Sequence, residues 1–196
     1  MSKKLPLVLG SSSVFRQAQL ARLGLDFQTA APDFDETPVA GESAQDTALR
    51  LAEGKARSLA ADFPDALVIG ADQVAWCGGR QLGKPMCVAK AQQMLAALSG
   101  QRIEFYSAIV LLNTASGRIQ RYVDKTVVTM RELDDAQIRT YLEREPDAVY
   151  CAGAAKSEGL GAALLQQIDS SDPNALIGLP IFCLVDFLAN EGVDVL

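Results

Sequence analysis

The sequence predicts an α/β fold with a mixed central sheet. Two observations carry this. Short apolar runs alternate with amphipathic, helix-period stretches along the whole chain. Near the middle, two long strand-like runs follow each other across a five-residue turn, 113–117, so the sheet cannot be purely parallel. Leu5–Gly10 reads as a buried strand. Ser13 is a natural N-cap for a helix to about Leu23, which Gly24 stops. Asp26–Ala30 is a second short strand. Residues 31–42 form a loop rich in proline and acids. Ser43 caps a long helix to about Ala61. Ala66–Ala71 is another buried strand, and Cys77-Gly78-Gly79-Arg80 a hairpin turn. Ala89–Leu98 is helical, Ile103–Leu112 and Ile119–Met130 are strands, and Asp134 with Gln137 forms a capping box for a helix to about Arg144. Gly153–Gly161 is a glycine-bearing loop. A last helix follows Pro180, to about Ala189.

Composition narrows the chemistry. The chain has 196 residues, 49% of them hydrophobic, and a net charge of −6. That length suits one large domain or two small lobes around a shared cleft. No apolar run approaches the roughly 20 residues of a spanning helix. The apolar stretch after Met1–Lys4 is too short for a secretory signal. A cytoplasmic protein with no membrane partner is expected. The acidic balance argues against coating a nucleic-acid duplex. With 0 His, imidazole acid–base catalysis and His-ligated zinc are excluded. The 4 Cys (Cys77, Cys87, Cys151 and Cys183) include no Cys-x-x-Cys pair and read as free thiols.

Several residues disagree with their surroundings. Ser11-Ser12-Ser13 joins a strand to a helix start, which offers backbone N–H groups to an anion. Arg16 lies in that helix's first turn, where the dipole disfavours a cation. Lys55 falls on the apolar face of its helix with Ala48, Leu51 and Ala52, so it either snorkels or meets an anion. Asp72 is placed at the carboxyl end of a buried strand, where α/β sheets carry ligand-binding groups. Leu82-Gly83-Lys84-Pro85 fixes a lysine in a constrained loop. Asp33-Phe34-Asp35-Glu36 gathers carboxylates that could hold a hard divalent cation, although taken by itself the run is better explained as a solvated acidic loop. Lys156 and Glu158 sit in the glycine-bearing loop, where close backbone approach is permitted. Four cations with carboxylates, in an acidic chain without histidine, point to metal-assisted chemistry on a phosphate ester.

Taken in order, Ser11-Ser12-Ser13-Val14-Phe15-Arg16, Asp35-Glu36, Lys55, Gly70-Ala71-Asp72-Gln73, Gly83-Lys84-Pro85, Cys151–Gly159 and Asp172–Pro180 give the chain its resemblance to the Maf family of nucleotide pyrophosphatases. The resemblance covers nearly the whole length. It implies a Maf / ITPase-like fold, a single domain over 1–196 with two lobes around a substrate cleft. It also implies cleavage of a nucleoside triphosphate to the monophosphate and pyrophosphate. By the same resemblance Asp72 is the proton acceptor. Phe15, Gln73 and Glu158 set specificity. Ser11, Ser13, Arg16, Lys55, Lys84 and Lys156 bind substrate, and Glu36 with Asp72 binds Mg²⁺ or Mn²⁺. Asp-Gln after the third strand and the Lys-Ser-Glu-Gly loop look like the 7-methyl-GTP branch. The alternatives are a dTTP/UTP or other non-standard nucleotide pyrophosphatase, and a nucleotide-binding regulator of cell division. The sequence leaves a homodimer open.

Overall fold

The computed structural model describes residues 5–196; the reading of Met1–Lys4 lies outside the described residues. The elements, in order, are β1 (Leu7–Gly10), α1 (Val14–Ala21), β2 (Phe27–Ala30), α2 (Ala44–Ser58), β3 (Leu67–Cys77), β4 (Arg80–Leu82), α3 (Val88–Leu98), β5 (Arg102–Asn113), β6 (Ile119–Met130), α4 (Asp135–Arg144), β7 (Leu165–Asp169) and α5 (Ile181–Ala189). The strands form one sheet in the order β2-β1-β3-β5-β6-β7, with β4 paired to β3. β1 runs parallel to β2 and β3, whereas β4 is antiparallel to β3 and β7 to β6. The mixed α/β sheet expected from the alternation of elements is therefore present.

The caps explain the helix starts. Ser13 accepts from the Arg16 N–H and Ser43 from the Asp46 N–H, each filling an orphan donor of a first turn. Asp134 and Gln137 form the reciprocal capping box. Every residue of β1 is buried, as suits a strand covered on both faces.

The largest differences from the sequence reading are at two strands. β3 does not stop at Ala71 but continues to Cys77, so Asp72 lies inside a strand rather than at its end. Buried Val74 and Ala75 extend the run, and the register Ala75↔Leu82 gives it a partner in β4. β7 has no signature in the sequence. Leu165 is its one buried residue, and Gln166, Gln167, Ile168 and Asp169 are exposed, so it lacks the alternation of a half-buried strand.

The chain divides into two compact units. The first holds the chain up to Gln73, Ser107–Asp124 and Asp172–Leu196; the second holds Val74–Tyr106 and Lys125–Ser171. In the first unit, Leu7 and Leu9 of β1, Leu67 and Ile69 of β3 and Ile109 and Leu111 of β5 form a core with Leu20 of α1 and Leu184 and Leu188 of α5. In the second, α3 packs on α4, with Leu95, Leu98, Ile138, Tyr141 and Leu142 buried. No helix among the described residues is long and apolar enough to cross a membrane.

Candidate active site

In the first unit the sequence brings α2 against β3. Gly70 faces α2, close to the Ala52 carbonyl and Ala56. Two residues further along the strand, Asp72 points to the same side. The phase set by the Ser43 cap puts Lys55 on the buried face of α2 with Ala48, Leu51 and Ala52. The two side chains meet: Lys55 Nζ donates to Asp72 Oδ1 at 2.6 Å. Both residues are buried, Lys55 to 7% exposure and Asp72 to 8%. Lys55 Nζ also pairs with Glu36 Oε1 at 3.0 Å. One buried ammonium therefore holds two carboxylates side by side. Lys55 does not snorkel; it meets anions from its own chain.

Glu36 arrives on the 31–42 loop, which is fastened along α2. Arg50 forks onto Glu42 through Nε and Nη2, each at 2.8 Å at closest approach, and Thr47 Oγ1 lies 3.0 Å from Glu42 Oε2. Asp35 Oδ1 accepts from the Thr37 N–H at 2.9 Å and from its hydroxyl, closing a tight turn. Of the four-residue acidic run, Glu36 is the carboxylate that pairs with Lys55. Next to Lys55, Gly54 lets the Phe34 ring lie on the helix backbone; a Cβ at this position would overlap the ring. Sequence reasoning passed over Phe34 and Gly54. A glycine inside an otherwise regular helix pattern was the available signal.

Arg16 and Ser11 belong to the same unit. Arg16 Nε donates to the Gly178 carbonyl at 2.9 Å, and Nη1 lies 3.4 Å from Ser11 Oγ. Burial pushes the Arg16 guanidinium below its usual value, while the fields of Asp72 and Glu36 act in the opposite sense. Phe15 is half-buried in the same first turn, and Ser13 is occupied as the cap. Gln73 faces away from Asp72. Its Nε2 donates to Ser107 Oγ at 2.9 Å and to the carbonyls of Ala175 and Leu176 at 3.1 and 2.9 Å. The donors of the Gln73 amide are thus spent inside the protein, pinning the segment after Asp172. Asp172 orders that segment in turn, accepting from the Asn174 N–H at 2.9 Å and the Phe182 N–H at 2.8 Å.

Lys84, Lys156 and Glu158 lie in the second unit. Lys84 is exposed between Gly83 and buried Pro85. Glu158 is exposed, whereas Lys156 is paired with Glu145 at 2.9 Å. Cys151 feels all three charges. Burial and Glu158 push its thiol up to about 11, against the pull of Lys156 and Lys84. The four cysteines are free. A thiol held this high is protonated at neutral pH and is a poor nucleophile.

Known proteins resemble this chain over its whole length. A 7-methyl-GTP pyrophosphatase of Neisseria gonorrhoeae is 71% identical over 196 residues, 100% of both chains. Proteins of the same name from Chromobacterium violaceum and Methylobacillus flagellatus are 56% identical (97% of this chain, 98% of the relative) and 48% identical (97% and 99%). Among solved structures, the Staphylococcus aureus Ham1 protein is similar at 15% identity and a TM-score of 0.44, over 65% of this chain and 72% of its own. The Maf-like protein family model matches residues 6–191, nearly the full length and all of the side chains described above. With relatives this similar from end to end, the chain belongs to the Maf family.

Proposed function

We propose that this protein hydrolyses 7-methyl-GTP to 7-methyl-GMP and pyrophosphate in the cytoplasm. The observation that carries the reading is the buried Lys55–Asp72 pair with Glu36 on the same ammonium. The names of its full-length relatives support the choice of substrate.

Asp72 is the base in a chain with 0 His. It takes a proton from the water whose oxygen bonds to the α-phosphorus, as the bond from that phosphorus to the bridging oxygen breaks. Arg16 and Lys55 hold the triphosphate and offset the charge that gathers on the departing pyrophosphate. Lys55 also fixes the direction of the Asp72 carboxylate. Most of the rate enhancement then comes from position and electrostatics.

The donor set fits a hard divalent cation. Asp72 and Glu36 are held together by one ammonium, and their second oxygens, Oδ2 and Oε2, take no hydrogen bond among the described residues. No group of three or more His, Cys, Asp or Glu suited to a metal occurs among the described residues, and Mg²⁺ is commonly held by one or two carboxylates with substrate phosphates and water completing the shell. Asp72 and Glu36 would hold Mg²⁺ or Mn²⁺, which when bound neutralises charge on phosphate oxygens.

In the second unit the proposal rests on chemistry alone. The exposed ammonium of Lys84 suits phosphate, and Glu158 suits the base. A carboxylate accepts two parallel hydrogen bonds from the guanine N1–H and exocyclic amine, whereas uracil and thymine offer one N–H flanked by carbonyls. Methylation at N7 makes guanine cationic and adds charge attraction. Pyrophosphate release from 7-methyl-GTP, GTP and UTP tests the reading. Wild type is expected to prefer 7-methyl-GTP, and Glu158→Ala to lose roughly 10- to 100-fold of that preference. A preference for UTP, or an equal loss on all three nucleotides, would remove Glu158 as the base reader.

The Phe34–Gly54 contact gives a second test. Gly54→Ala adds a better helix former, worth about 1 kcal/mol in an isolated helix. The added Cβ nevertheless evicts the Phe34 ring and with it the seat of Glu36. The variant is expected to lose about 100-fold in kcat, the order of loss that a misplacement of ~1 Å brings, without gaining thermal stability. A variant that is both more stable and fully active would show that this contact does not place Glu36.

A further inference from the structure

Glu158 is an exposed side chain in a loop, yet base selection needs its carboxylate in one orientation. The loop is held from one helix, at both ends of the turn that carries Glu158. The Gly159 N–H donates to the Lys156 carbonyl at 3.0 Å, which closes a tight turn around Ser157 and Glu158. On the near side of this turn, Tyr141 Oη accepts from the Lys156 backbone N–H at 3.0 Å. Glu145, the residue that ends α4, holds both sides: Oε1 accepts from Lys156 Nζ at 2.9 Å and Oε2 from the Leu160 N–H at 3.1 Å. Tyr141 is 3% exposed, and the Lys156 and Glu145 side chains are 19% and 16% exposed, so the brace is sheltered from solvent.

The protonation states agree with this geometry. Burial pushes the Tyr141 phenol up to about 12, so it stays neutral through the working range. Lys156, and after it the Leu160 N–H, hold the Glu145 carboxyl below its usual value. Glu145 raises Lys156 in return. Near neutral pH all three groups are in the forms the contacts need.

We infer that Tyr141 and Glu145 are positioning residues for base selection, and that Lys156 serves as a strut of this brace rather than as a phosphate ligand. The inference rests on the reading above, in which Glu158 accepts from the guanine edge. Two parallel hydrogen bonds to a planar edge demand a fixed carboxylate plane. A loosened turn keeps the negative charge, and so part of the attraction to a cationic base, but loses the geometry that rejects the wrong edge.

The test measures kcat/KM for 7-methyl-GTP, GTP and UTP with wild type, Glu145→Gln, Tyr141→Phe, Lys156→Met, Glu158→Ala and the Glu145→Gln/Glu158→Ala double variant. Glu145→Gln and Lys156→Met are expected to lower the preference for 7-methyl-GTP over UTP by about tenfold, chiefly through KM for 7-methyl-GTP, and Tyr141→Phe by less. Once Glu158 is gone, Glu145→Gln should change that preference no further, the non-additivity expected of residues acting as one unit. Amide hydrogen exchange at Leu160 should quicken in Glu145→Gln while α3 and the sheet keep wild-type protection. An equal loss on all three nucleotides in Lys156→Met would make Lys156 a phosphate ligand and overturn the inference. So would an unchanged preference in Glu145→Gln, whether or not exchange quickens. A wild type without preference for 7-methyl-GTP overturns the functional reading instead. Exchange at Leu160 then reports on the brace by itself, and unchanged exchange would remove it.

Discussion

Asp72→Asn is expected to lose turnover by roughly 10²- to 10⁴-fold, the range a positioned general base supplies. The substitution keeps size and shape. The new amide oxygen can still accept from Lys55, and Lys55 keeps Glu36 at 3.0 Å. Folding and nucleotide binding should therefore survive while the proton acceptor is gone. With 0 His in the chain, no imidazole can take over that role. Pyrophosphate release, circular dichroism and calorimetric titration of a nucleotide measured together separate the outcomes. A folded variant that binds nucleotide and turns over near the wild-type rate would remove Asp72 as the base.

Lys55→Met should damage both stability and activity. Its removal leaves the buried Asp72 without its ammonium partner, and breaking one side of a buried pair typically costs about 3–5 kcal/mol. For a chain of this size that corresponds to a fall in Tm on the order of 10 °C. The sign of a double variant decides the cause. Lys55→Met/Asp72→Asn leaves no buried carboxylate without its ammonium, so it should be more stable than Lys55→Met alone and still inactive. If the double variant is instead no more stable than Lys55→Met, the loss comes from packing of the lysine stem rather than from the stranded carboxylate.

The sequence made the framework legible where local chemistry is decisive. Ser13, Ser43 and the Asp134–Gln137 box announce their helices because capping satisfies donors within one turn. The buried strands read clearly because long apolar runs have few alternatives. β7 was hidden because its side chains are mostly exposed and only its pairing to β6 defines it. At the site, Lys55 stands out as a cation on an apolar face, and Asp72 as an acid at the end of a buried apolar run. That they touch depends on how α2 packs on β3, which no local pattern encodes. Glu145 was invisible for a related reason. An acid at the end of a helix looks solvated until the loop eleven residues later folds back onto it. Phe34 and Gly54 belong to the same class of contact, made by a ring and a bare backbone distant in sequence.

The division of the chain into units bears on inheritance. Because each unit is assembled from separated stretches, with crossings after Gln73, Tyr106, Asp124 and Ser171, no single recombination point detaches either one. A splice anywhere within the middle of the gene would carry a fragment of both. A single crossover between Asp72 and Tyr141 parts Lys55 and Asp72 from Glu158 and its brace, but it leaves the first unit of mixed parentage. On the proposed reading, a change of nucleotide falls to individual codons in the 156–160 turn or its supports, because neither unit can be exchanged as one contiguous stretch.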